Sequence, residues 1–80
     1  MGTVKSFLIK VTNNVDKIVY GKKYDFIAKD KGEYFQIYRR WYEGKPWKRY
    51  CKIPKNSIND TKNWEYEEGG QDVLGTKYVI

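Results

Sequence analysis

The sequence predicts an all-β domain, a small closed barrel of about five short antiparallel strands with one helical or 3₁₀ turn. Three observations carry this. Apolar and polar residues alternate with a period of two through most of the chain, the repeat of a half-buried strand. Tight-turn residues recur between the alternating runs, at Asp30-Lys31-Gly32 and Glu43-Gly44-Lys45-Pro46. The 80 residues are 40% hydrophobic and 18% aromatic, too rich for a disordered chain and too few for two cores. Closure is expected because it removes the exposed edges that a short sheet presents to water.

The elements follow in chain order. Val4 to Val11 reads as a strand with Phe7, Ile9 and Val11 on one face, Lys10 on the other and Leu8 as the exception. Asn13-Asn14 breaks it, and residues 13–22 read as a loop closed by Gly21. Lys23 to Lys29 is the second strand, with Tyr24, Phe26 and Ala28 pointing one way. In the next turn Gly32 supplies a positive φ at no steric cost. Glu33 to Tyr42 is rich in β-formers, and Phe35, Ile37, Arg39 and Trp41 alternate with Tyr34, Gln36, Tyr38, Arg40 and Tyr42. Trp47 to Ile53 is the fourth strand, ended by Pro54, which has no N–H for a ladder. Pro54-Lys55-Asn56-Ser57-Ile58 suits one helical or 3₁₀ turn that returns Ile58 to the core. Thr76 to Ile80 is expected to form a last short strand, and no helix longer than two turns is expected.

Charge divides the chain without dividing the domain. Residues 1–58 hold fourteen Lys and Arg against five Asp and Glu, a net of +9, whereas residues 59–72 carry −4. The expectation is one domain over residues 1–80, with a basic core region 1–58 and the acidic segment 59–80 packed on it. That segment can neutralise the basic part in cis or face a basic partner. An ordinary surface strand, Trp64 to Glu68 with Trp64 and Tyr66 packing, is the favoured reading.

Composition excludes much chemistry. There is no His, and Cys51 is the only Cys, so Ser-His-Asp and Cys-His nucleophiles, an internal disulfide and a four-ligand Cys/His zinc site are ruled out. Asp25, Asp30, Glu33 and Glu43 offer no convincing acid/base pair, and Gly69-Gly70 is followed by Gln71-Asp72, not by the Lys and Ser/Thr of a phosphate loop. No enzyme activity, cofactor or metal is expected. Cys51, alternating with Ile53, reads as a packed and unreactive thiol. No run approaches a membrane span or a signal peptide, so a cytoplasmic location and no membrane partner are expected. Met1-Gly2-Thr3-Val4-Lys5-Ser6 matches the myristoylation pattern and Asn59-Asp60-Thr61 a glycosylation sequon; both read as accidental.

One stretch points to a function. Tyr38 to Lys52 holds six Lys and Arg against Glu43 alone, interleaved with Tyr38, Trp41, Tyr42, Trp47 and Tyr50. If Phe35, Ile37, Cys51 and Ile53 face the core, then Tyr34, Tyr38, Arg40 and Tyr42 share the outer face of strand three. Lys48, Tyr50 and Lys52 then share that of strand four. Arg39 and Arg49 fall on the nominally inner faces, so either the barrel mouth admits them or a bulge shifts the register. Cations neutralise phosphates and flat rings stack on unpaired bases, so this face is expected to bind nucleic acid through Tyr38, Arg40, Tyr42, Trp47, Lys48, Tyr50 and Lys52. The alternative is that the same Trp, Tyr and Arg residues anchor a protein partner. The bland reading is a solvated basic face in which Lys and Arg shield the rings.

Several segments also carry a resemblance. Val11-Thr12-Asn13-Asn14 is followed by Tyr20-Gly21-Lys22-Lys23-Tyr24-Asp25-Phe26-Ile27, then by Asp30-Lys31-Gly32-Glu33-Tyr34-Phe35-Gln36-Ile37 and by Ile53-Pro54-Lys55-Asn56-Ser57-Ile58. Over roughly the first three-quarters of its length the chain resembles short phage and bacterial proteins with SH3-like barrels. In that group a Gly-Lys-x-Tyr corner ends the first loop and a one-turn helix follows Ile-Pro-Lys. The chain departs from the pattern in the long aromatic strands around Glu43 to Trp47 and in its longer acidic segment. The resemblance implies a fold and no shared activity. A small phage protein of this kind would act in the cytoplasm of a bacterial or phage-infected host cell. There the alternative reading becomes an accessory protein that binds and modulates a host protein.

Overall fold

The computed structural model describes residues 4–67. The strand expected over Thr76–Ile80, the Met1-Gly2 pair and Gly69-Gly70 lie outside the described residues.

 

The first element is a helix, α1 (Val4–Thr12), where a strand was expected. Phe7, Leu8 and Val11 are all buried, and with Val4 they stand at i, i+3, i+4 and i+7. That is the stripe of an amphipathic helix, and Leu8, the exception to the period of two, belongs to it. At nine residues, α1 also exceeds the two turns expected as the upper limit. The Asn14 side chain donates to the Lys10 carbonyl at 2.8 Å, and Asn13 N–H to that of Ile9 at 2.9 Å, so the helix end is satisfied locally.

Five strands follow: β1 (Val19–Tyr20), β2 (Asp25–Asp30), β3 (Tyr34–Arg40), β4 (Lys48–Pro54) and β5 (Glu65–Tyr66). They form one antiparallel sheet in chain order. The fold class read from the sequence, all-β with five short antiparallel strands and a 3₁₀ turn, is the architecture found. The membership differs, since the first strand comes from the expected loop. Gly32 takes φ +97° in the β2–β3 turn, where its N–H donates to Asp30 Oδ1 at 2.8 Å. Lys55 donates to that same oxygen at 2.8 Å, and these two donors hold the Asp30 carboxyl below its usual range, Lys55 foremost.

The core lies between α1 and the sheet. Phe7, Phe26, Tyr50 and Tyr66 run through it edge to face, with centroids 5.0, 5.8 and 5.6 Å apart in turn. Gly21 sits against this row. A Cβ there would lie 2.9 Å from the Tyr24 carbonyl oxygen and 3.2 Å from the Phe7 ring. Past β4, the 3₁₀ turn Lys55–Ser57 forms as expected, and Ile58 packs against the core. Trp64 is buried, and its indole N–H donates to the Ser57 carbonyl at 3.2 Å. In this part of the acidic segment the strand is confined to Glu65–Tyr66, shorter than the Trp64 to Glu68 expected, and Tyr66 packs against the core.

Candidate functional site

The β3–β4 hairpin changes character halfway along. Ile37 pairs with Cys51, but Tyr38 pairs with Arg49, so Tyr50 is a surplus residue at a bulge. The surplus turns two neighbours, Tyr50 and Cys51, inward together, each at most 1% exposed. Tyr50 is therefore a core residue and not, as expected, a ring beside Lys48 and Lys52 on the outer face. Its aromatic bulk fills the gap between Phe26 and Tyr66. The bulge also turns Arg49 outward, where it meets Glu67 at 3.5 Å. Of the two readings left open for the inner arginines, the register shift is the one that occurs for Arg49.

Arg39 stays on the core face, opposite Phe26. Its guanidinium lies between two rings, 4.5 Å from the Tyr24 centroid and 4.8 Å from that of Tyr50. Its Nη1 is buried and has no hydrogen-bond partner among the described residues. Beside it opens a cavity of about 410 Å³ lined by Tyr24, Arg39, Arg40, Trp41, Lys45, Pro46 and Lys48. Among the described residues, Arg40 alone of these cations has a carboxylate partner: its Nε donates to Asp25 Oδ2 at 2.9 Å, with both side chains under 15% exposed. Trp41 stands at the rim, 60% exposed, and Tyr42, 53% exposed, lies beside it with ring centroids 6.0 Å apart.

The remaining expected residues disperse. Tyr38 and Trp47 line a second cavity with Ile27, Lys29 and Lys31. Arg40 joins the two regions, because its guanidinium also lies 4.6 Å from the Trp47 ring. Lys52 is at the other end of the hairpin, paired with Gln36 and stacked on Tyr34 at 4.8 Å. The structure thus brings Arg40 and Lys48 together at one cavity with Tyr42 nearby, places Tyr38 and Trp47 at a second cavity that Arg40 joins to the first through the Trp47 ring, and removes Tyr50 and Lys52. Sequence reasoning left Tyr24, Arg39, Trp41 and Lys45 out of the site. Parity carried the signal for the first two: Arg39 alternates with Ile37, and Tyr24 with Phe26, so both reach the same end of the core face.

Cys51 is buried as expected. Burial first, and the nearby Glu65 charge second, push its thiol up to about 12. Among the described residues no helix is long and apolar enough to cross a membrane, and no three His, Cys, Asp or Glu side chains group as metal ligands. Comparison of the chain with protein-family models, curated proteins and solved structures returns no match.

Proposed function

We propose that the chain is a non-catalytic binding module whose β3–β4 hairpin tip holds single-stranded nucleic acid with little sequence preference. The observation that carries this is the cluster of Arg39, Lys45 and Lys48 around one cavity with no carboxylate partner among the described residues, beside the exposed rings of Trp41 and Tyr42. Cations neutralise phosphates whatever the sequence, and exposed rings accept any unpaired base. Lys48 and Tyr42 are retained from the residues expected to bind, and Trp41 takes the stacking role expected of Tyr50.

Fluorescence anisotropy with labelled single-stranded and duplex oligonucleotides across a salt series tests the reading. With about four phosphates contacted, log affinity for a single strand should fall against log salt with a slope of about −3. Lys45→Glu with Lys48→Glu should flatten that slope by about 1.5. Absence of binding at low salt overturns it. The adjacent, exposed Trp41 and Tyr42 also fit the competing reading, a protein partner anchored on the same rings. Weak salt dependence and loss of one band from a host-lysate pull-down on Trp41→Ala would favour that reading.

A further inference from the structure

The cavity at the hairpin tip holds more positive charge than one internal phosphate can use. Arg40 is matched by Asp25. Arg39, Lys45 and Lys48 remain, three cations around about 410 Å³, a volume in the range of small-molecule sites. A phosphodiester brings one negative charge, whereas a terminal phosphomonoester brings nearly two at neutral pH. Arg39 is also held in advance: its guanidinium packs against the Tyr24 and Tyr50 rings, 4.5 and 4.8 Å from their centroids. A fork so oriented loses little freedom on meeting an oxyanion. A partly buried cation with an unpartnered nitrogen gains from a counter-ion that arrives beside it.

We propose that this cavity is a seat for a terminal phosphate, the phosphomonoester of a nucleic-acid end or of a free mononucleotide. Arg39 and Lys48 hold the phosphate from facing positions on β3 and β4, Lys45 adds charge from the turn, and Trp41 at the rim takes the attached base. The proposal rests on the hairpin as the binding surface and adds its preferred chemistry.

The test uses the full chain and 3′-labelled single strands of one sequence, with a 5′-phosphate or a 5′-hydroxyl, in anisotropy at fixed salt. The phosphorylated strand should bind about tenfold more tightly. AMP should compete where adenosine does not, and AMP affinity should rise between pH 5 and 7 as its phosphate loses its second proton. Arg39→Lys keeps the charge but loses the planar fork, and should erase the tenfold preference. Lys48→Ala, at an exposed position, should reduce it if Arg39→Lys does not fold. Equal binding of the two strands, with no competition by AMP, overturns the seat and leaves the hairpin reading standing. AMP binding without strand binding does the reverse. If neither binds, both fall.

Discussion

The two halves of the β3–β4 hairpin are built from the same alternation and pack in opposite ways. Towards Gly32, Ile37, Cys51 and Ile53 bury apolar groups completely, and the Gln36 amide is tied to the Cys51 carbonyl at 3.2 Å. Towards Gly44, the inward positions hold Arg39, and rings stack on cations where methyl groups would otherwise meet. The bulge at Tyr50 separates the halves. The difference teaches that a strand's periodicity assigns faces only as far as the next register shift.

Tyr50→Ala attacks the junction and should have the largest effect. It empties the centre of the aromatic row and removes one wall of the Arg39 stack. A loss of about 3–5 kcal/mol is expected, comparable to all that a domain of this size holds in reserve. Circular dichroism should show no cooperative melt; a transition near that of the wild type would mean that the halves do not depend on their junction.

Alkaline pH should weaken the core half next. The Cys51 thiol rises from 9.0 to about 12 and the Tyr66 hydroxyl from 10.0 to about 12, both chiefly through burial. The unfolded chain then releases these protons before the folded one does. Their contribution is fully present below about pH 9 and is lost as pH climbs towards 12, at about 1.4 kcal/mol per pH unit while the thiol alone titrates. Urea midpoints should fall over that window, and Cys51→Ala should flatten the fall. An unchanged slope in that variant would break the assignment.

Asp25→Asn probes the tip half with a smaller effect. It leaves Arg40 without its carboxylate, at a cost of about 1–2 kcal/mol because the pair is only partly wet. It also adds net positive charge beside the cavity, so strand affinity should rise as the melting temperature drops. A drop in both would show that the ion pair positions Arg40 for binding, and would sharpen the contrast between halves.

Much of this was legible in the residues. The Gly32 turn, the inward Phe26 and Ala28, the buried Cys51 and the 3₁₀ turn after Pro54 all follow from local chemistry. Two features were not read. The spacing of Val4, Phe7, Leu8 and Val11 is helical, but Phe7, Ile9 and Val11 also satisfy a period of two, and a short apolar run supports either. The bulge depends on how β4 fits between β3 and β5, a tertiary matter that strand alternation does not encode. Missing it moved Tyr50 to the wrong face and hid the stack around Arg39.

The surplus residue in β4 also bears on how such a gene can change. Exchanging one amino acid for another between Lys45 and Arg49 alters the chemistry of the tip and leaves the inward set of Cys51 and Ile53 where it is. Deleting or inserting a single codon between Lys48 and Cys51 swaps inward for outward along the whole tip. Lineages of this protein should therefore diversify at the tip by substitution while holding the length of β4 constant.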